Sequence, residues 1–167
     1  MAAMRKIGNW AGARKLTSSL GLEMEKARFL SLMRWGLKAE GLAKTHMSKQ
    51  DLGWKPLKPE TISRKIRKGY SENILIETSS YFQSITSWVD KKSATVFAGV
   101  KKVARNKDGE EIANIAAVHE YGSRSGSIPA RPLWQPVFEE TMEWHFKNNQ
   151  PEFYFLKAMA KKYGLKR

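Results

Sequence analysis

The sequence predicts an α+β fold in which a small antiparallel β-sheet packs with a long N-terminal helix and with C-terminal helices. Apolar residues recur at helical spacing between residues 20 and 47. Two short runs with typical strand residues follow in the middle of the chain. Helical patterns return after residue 132. Because helices lie at both ends with strands between them, the class is α+β.

The N-terminal region is predicted to contain an arm and a long helix. Residues 1–18, rich in glycine, alanine and lysine, are expected to form an extended arm, with a frayed terminus as the alternative. The helix is expected to start near residue 20, where Thr17 and Ser18 resemble an N-terminal cap region. Its apolar surface is broad enough for two packing partners, one of which could be another subunit. A second helix opens at Pro59 and stops at Gly69.

The central and C-terminal segments follow from local patterns. Thr78 is expected to cap one or two helical turns. Residues 84–90 and 94–100 read as a hairpin, and residues 101–111 as a polar hairpin tip or exposed loop. Residues 112–121 are ambiguous but fit a short helix, and residues 122–131 form an exposed loop. Two helices follow, over residues 132–147 and from residue 151 to about residue 163.

The bulk composition limits the class of protein. A chain of 167 residues suits one domain, here residues 1–167. The formal net charge of +14 favours a polyanionic partner. The absence of cysteine excludes disulfides and thiolate chemistry. The sequence contains no secretory signal and no apolar segment long enough to span a bilayer, so we expect no membrane partner and synthesis in a cytoplasm.

The sequence contains no motif that is typical of an enzyme active site. His46, His119 and His145 lie far apart and match no metal-binding spacing. His119 and Glu120 near Arg131 could be drawn as a nuclease centre, but a structural hydrogen bond explains one histidine and one glutamate better. We therefore predict no catalytic residue, no metal and no cofactor. Most aromatic residues fall at helical or strand spacing and are expected to form core, not a base-stacking surface.

Three segments carry recognisable motifs in order along the chain. The first has the form W-x-P-L-x-x-x-T-x-x-x-K over residues 54–65. The second covers residues 75–85, and the third consists of residues 116–122 followed by the run I-P-A-R-P-L over residues 128–133. Gly122 can end an element and let the chain reverse. The prolines on either side of Ala130 and Arg131 stiffen the approach to the last helices. Arg131 is then placed to pair with a carboxylate, such as Glu120 or one on a neighbouring subunit.

These motifs resemble those of the phage virion-morphogenesis or tail-completion family, which acts at the junction between a filled head and a tail. The resemblance covers roughly residues 54–134. Two positions depart from the family pattern, since Ser79 replaces a usual glycine and Tyr81 a usual leucine, which puts a positive φ at residue 79 in question. The matching positions are Trp54, Pro56, Leu57, Thr61, Thr78, Ser84, His119, Gly122, Ile128, Pro129, Arg131 and Pro132.

The resemblance implies a non-enzymatic virion protein of the neck that joins tail to head. Its implied partners are copies of itself in a ring, commonly of six, head-side connector or adaptor proteins, and tail terminator or tail tube proteins. Phage DNA would cross the ring without sequence-specific contacts, which suits the positive charge. The alternative is a sequence-non-specific nucleic-acid-binding protein. Candidate DNA-facing residues are Arg64, Lys65, Arg67, Lys68, Lys101, Lys102, Arg105 and Lys107.

Overall fold

The computed structural model describes residues 10–163 of the chain, and residues 1–9 and 164–167 lie outside the described part. Its helices and strands confirm the α+β class, with a long N-terminal helix, a two-stranded antiparallel sheet and C-terminal helices. In chain order they are α1 (Trp10–Lys49), α2 (Pro59–Arg67), α3 (Ser80–Ser84), β1 (Ile85–Asp90), β2 (Thr95–Val100), α4 (Ile112–Tyr121), α5 (Trp134–Asn148) and α6 (Pro151–Tyr163).

Helix α1 begins earlier than the sequence pattern predicts. Residues 10–18, predicted as part of an extended arm, are helical. The hydroxyls of Thr17 and Ser18 do not cap a helix start, because both donate hydrogen bonds to the carbonyl of Arg14, at 3.0 and 2.8 Å. Such bonding to the preceding turn is how serine and threonine are accommodated inside a helix. The prediction of an arm for residues 1–9 concerns residues outside the described part.

The chain divides into two compact units. One is Leu32–Asn149, and the other consists of Met1–Ser31 and Gln150–Arg167, of which the structure describes residues 10–31 and 150–163. The core of the larger unit is formed by side chains from α1, the hairpin, α4 and the segment that opens α5; its largest fully buried apolar members are Met47, Ile85, Ile112, Leu133 and Val137. The smaller unit contains the first part of α1 and all of α6. The prediction of one domain over residues 1–167 stays a prediction.

The β-hairpin confirms the predicted strand pair and presents two different faces. The register pairs Ile85 with Val100 and Trp88 with Phe97. Since side chains alternate across a strand, Ser87 and Val96 lie on the opposite face from the two aromatic residues. This inner face packs on α1 at very short range, because a Cβ built on Gly36 would lie 2.9 Å from Val96 Cγ2.

The segments around the hairpin follow the predictions with one correction. The predicted loop over residues 101–111 contains a bridge between Arg105 and Glu111, and the ambiguous residues 112–121 form α4. Thr78 does not cap α3. The N-cap is Ser79, which makes no capping hydrogen bond through its side chain, whereas Thr78 Oγ1 lies 2.9 Å from Ser80 Oγ. Ser79 has a φ of 61°, so the positive φ that the serine put in question does occur.

Candidate functional site

Glu120 forms the N-terminal cap of α5 from the end of α4. Its Oε2 accepts hydrogen bonds from the backbone N–H of Leu133 at 2.8 Å and of Trp134 at 3.2 Å. The first N–H groups of a helix lack partners within the helix, and the helix dipole favours a negative charge beside them. The two halves of the third motif are therefore tied together by one carboxylate.

The loop between these halves is closed on itself. Gly122 ends α4 with φ 82° and ψ 165°, a conformation that only glycine adopts readily. The Ser123 N–H donates to the Ile128 carbonyl, and the Ile128 N–H donates to Ser123 Oγ, both at 2.9 Å. Residues 124–128 are exposed, as predicted for this loop, whereas Pro129 is half-buried. The loop is thus a surface turn whose two ends are joined by the hydrogen bonds between Ser123 and Ile128.

Arg131 is buried and does not pair with Glu120, contrary to the expectation from the sequence. Only 5% of the residue is exposed. Its backbone N–H donates to the His119 carbonyl at 2.6 Å, and its Nε donates to the Lys55 carbonyl at 3.2 Å. Burial lowers the pKa of the Arg131 guanidinium from its usual value. The carboxylate that was to pair with Arg131 is already used in capping α5, so Arg131 instead anchors the first motif to the third.

Two further side chains hold the motif segments together by donating hydrogen bonds to backbone carbonyls. The indole Nε1 of buried Trp54 donates to the Pro132 carbonyl at 2.8 Å. The ammonium group of Lys65 donates to the carbonyls of Asn73, at 2.6 Å, and Ile76, at 2.9 Å. Lys65 is only 3% exposed, and this burial lowers its pKa. The prediction that Lys65 faces DNA is therefore wrong, because its ammonium group is buried and donates to backbone carbonyls.

His119 adjoins Arg131, whose backbone N–H donates to the His119 carbonyl. Its Nδ1 is buried without a hydrogen-bond partner in the described part of the chain. Burial, followed by the positive charge of Arg131, lowers the pKa of the imidazole, so the neutral form is favoured. Burial also raises the pKa of Tyr81 to about 12. Both groups are uncharged near neutral pH, which suits a packed interior.

Hydrogen bonds thus connect the three motif segments. We define the motif cluster as Trp54, Lys65, His119, Glu120 and Arg131, and the second segment joins it through the Ile76 carbonyl, which accepts a hydrogen bond from Lys65. Other matching positions lie around it or at its surface. Leu57 and Thr61 are half-buried, and Ser84 Oγ donates to the Ser80 carbonyl at 2.6 Å. Pro56, Thr78, Ile128 and Pro132 are exposed. The cluster is mainly internal, so its side chains hold the motif segments together and do not form a docking surface.

The remaining basic candidates form an exposed surface. Lys107 Nζ lies 2.9 Å from the hydroxyl of Tyr70, which follows α2, so the two basic segments are neighbours. Arg105 is engaged in its own loop, with an ion pair to Glu111 at 2.9 Å. Arg64 lies 3.5 Å from Glu77. We define the basic surface as the exposed members of the two segments: Arg64, Arg67, Lys68, Lys101, Lys102, Arg105 and Lys107.

The structure also contains two features that sequence reasoning missed. Trp88 and Phe97, expected to be core, are 37% and 43% exposed and stack on each other. Trp88 and Phe97 become neighbours only when the two strands pair. The sequence signal for their exposure was the alternation of side chains along each strand, which places both residues on the same outer face. The second feature is an apolar groove of about 340 Å³ between α1, β2 and α5; its lining includes Trp35, Ala39, Phe97, Val137 and Phe138.

Among residues 10–163, no group of three or more His, Asp or Glu side chains is arranged to hold a metal ion. His46 comes nearest, since its Nδ1 lies 2.7 Å from Asp51 and its Nε2 lies 3.0 Å from Glu140. No helix in this part of the chain combines the length and apolar character that crossing a bilayer requires.

Comparison with known proteins yields one similar sequence from an archaeon. An uncharacterized protein of Methanocaldococcus jannaschii is 32% identical over 96 residues. The alignment covers 57% of this chain and 64% of the relative, so the chain spans less than two thirds of that protein's length. No family model and no solved structure matches the chain.

Proposed function

We propose that this chain is a structural protein of a phage virion, located at the head–tail junction, where copies of it form a ring around the DNA channel and join tail to head. The observation that carries the proposal is the convergence of the three family-like segments in the motif cluster. Segments separated by as many as 78 residues, such as Trp54 and Pro132, are hydrogen-bonded to one another.

Exposed apolar side chains support a role in assembly. A closed ring needs two different contact surfaces on each subunit. Large apolar side chains exposed on the surface often mark such contacts. Helix α1 exposes Leu22 and Leu37 to 58% and 56%, and α6 exposes Phe153 and Leu156 to 50% and 62%. These residues are the candidates for contacts with further copies, with head-side connector or adaptor proteins, and with tail terminator or tube proteins.

Deletion of the gene from its phage tests this proposal directly. Electron microscopy of the lysate is expected to show filled heads beside separate tails, and a plasmid copy of the wild-type gene should restore joined virions. A plasmid copy carrying Leu22→Glu and Leu37→Glu should fail to restore them if these side chains form subunit contacts. Intact infectious virions from the deletion strain would overturn the proposal.

The second candidate function is sequence-non-specific nucleic-acid binding, which the basic surface favours. Counterion release predicts that each lost phosphate contact reduces the slope of log K against log salt by about 0.9 for duplex DNA. Replacing both Arg67 and Lys68 with alanine should therefore lower the slope by about 2. An Arg14→Ala variant, which removes an exposed arginine outside the basic surface, serves as the control. Equal slopes for the two variants would count against this surface.

A further inference from the structure

The outer face of the β-hairpin carries a pair of stacked aromatic rings. Trp88 and Phe97 are directly opposite each other in the register. Their ring centroids lie 5.2 Å apart with an angle of 14° between the planes. Both residues stay more than one third exposed, although large aromatic side chains are usually well buried. Because each ring covers one flat face of the other, the exposed surface of the pair consists of outer ring faces and ring edges, on the hairpin face opposite Val96.

Positive charge flanks the ring pair at both ends of the hairpin. Lys101 Nζ lies 5.8 Å from the centroid of the Trp88 ring, and Lys102 beside it is exposed. At the other end, the turn contains exposed Lys91 and Lys92. A strand of six residues spans about 20 Å, so the two lysine pairs bracket the rings.

The acidic residue on this face is tied to the turn. Asp90 Oδ1 accepts the Lys92 N–H at 2.9 Å, and Oδ2 accepts the Ser93 hydroxyl at 2.7 Å. Both carboxylate oxygens of Asp90 therefore accept hydrogen bonds from the hairpin turn. Along β1, Asp90 lies between Trp88 and the two lysines of that turn. The face as a whole combines aromatic surface with a surplus of positive charge.

We propose that this outer face is a stacking platform for the bases of a single-stranded nucleic acid. Aromatic rings stack on bases of any sequence, and neighbouring cations contact the phosphates. A duplex hides the flat faces of its bases inside the helix, so it cannot use the rings. A second copy of the chain fits less well, because two platforms would bring their lysines together in a protein of net charge +14. This inference does not rest on the proposed role at the head–tail junction.

Fluorescence anisotropy with labelled oligothymidylate and with a duplex of equal length tests the platform. Replacing Trp88 with alanine should weaken binding of the single strand by roughly 5- to 100-fold, the effect of losing one base–aromatic stack. Duplex binding, which depends on phosphate contacts, should change less than about twofold. Trp88→Phe should keep most of the affinity. Phe146→Ala removes an exposed ring on α5 and should leave both affinities unchanged.

Cross-linking of the wild-type protein gives a readout that does not depend on the folding of a variant. Irradiation with a bromodeoxyuridine oligonucleotide should attach it to a peptide containing Trp88 or Phe97. Equal loss of single-strand and duplex binding in Trp88→Ala, or cross-links confined to other peptides, would overturn the proposal. A wild-type oligomer that dissociates on Trp88→Ala in sedimentation would do the same, because a second copy would then cover the rings.

Discussion

Glu120 accepts the backbone N–H of Leu133, so the last turn of α4 supplies the cap for the first turn of α5. This hydrogen bond joins the two ends of the loop over residues 122–131, of which residues 124–128 are exposed, and so fixes the distance between those ends. It also explains why Arg131 has no role as an ion-pair partner of Glu120. The third motif therefore holds α4, the loop and α5 together, because the Glu120 carboxylate accepts hydrogen bonds from backbone N–H groups at the start of α5.

Replacement of Glu120 with alanine should lower the free energy of unfolding by about 1–2 kcal/mol, the usual cost of a lost helix cap. Glu120→Gln, which keeps an acceptor oxygen but loses the charge, should cost less. Urea denaturation measures both. Glu139→Gln alters an exposed carboxylate on α5, the helix that Glu120 caps, and should change stability by less than about 0.5 kcal/mol. An Ala variant as stable as the Glu139 control would contradict the capping role.

Replacement of Gly122 with alanine should be costly for two separable reasons. The positive φ with extended ψ costs about 1–3 kcal/mol for a residue with a side chain. The new Cβ would also lie 3.2 Å from the Ala130 nitrogen and from the Ile128 carbonyl oxygen, both backbone atoms. Gly126 has φ 70° and open space around its Cβ position, so Gly126→Ala measures backbone strain without crowding. Thermal denaturation should rank Gly122→Ala as the less stable; the reverse order would refute the close approach.

Lys65→Met should destabilise the protein by about 1–3 kcal/mol, because the thioether has similar length but donates nothing to the carbonyls of Asn73 and Ile76. Lys68→Met, one turn away and exposed, is the matched control and should stay within about 0.5 kcal/mol of wild type. Urea titrations of the two variants decide the question. If both behave alike, the buried ammonium group contributes nothing measurable.

The protein should become less stable as the pH decreases, because His119 titrates at a lower pH in the folded protein than in the unfolded chain. Its pKa in the folded protein is below the ordinary value of 6.5, because burial and Arg131 disfavour the imidazolium form. As the pH falls below about 6.5, the unfolded chain takes up this proton first, so unfolding becomes more favourable until the folded pKa is passed. His119→Gln should flatten the dependence of the unfolding free energy on pH in this window. Urea denaturation at several pH values checks it, and parallel profiles for wild type and variant would exclude this contribution.

The fold was largely predictable from the sequence, whereas the roles of individual side chains were not. The strand pair was found because Trp88, Val96 and Phe97 are typical strand residues between turn signals. The start of α1 was missed because a hydroxyl that caps a helix and one that bonds back to the preceding turn look the same in a sequence. Lys65 was placed on a DNA-facing surface because a basic run does not reveal which member points inward.

The partner of Arg131 illustrates a second limit. The sequence brings Glu120 close to Arg131 along the chain and so suggests an ion pair. The structure gives the carboxylate to the start of α5 and the guanidinium to the Lys55 carbonyl, which is 76 residues away. Whether the Glu120 carboxylate binds backbone N–H groups or the Arg131 guanidinium depends on the three-dimensional path of the loop. The spacing of these residues in the sequence does not reveal that path.

The close contact at Gly36 has a consequence for evolution. Gly36, Ala39 and Ala43 are spaced by three and four residues along α1, and all three are buried. A methyl group at position 36 would lie 2.9 Å from Val96 Cγ2. We therefore expect selection where α1 packs on the hairpin to act on side-chain volume more than on polarity. Distant relatives that have lost the sequence motifs should keep small residues at these three positions. Such a size pattern, read together with the hairpin register, offers a way to recognise them.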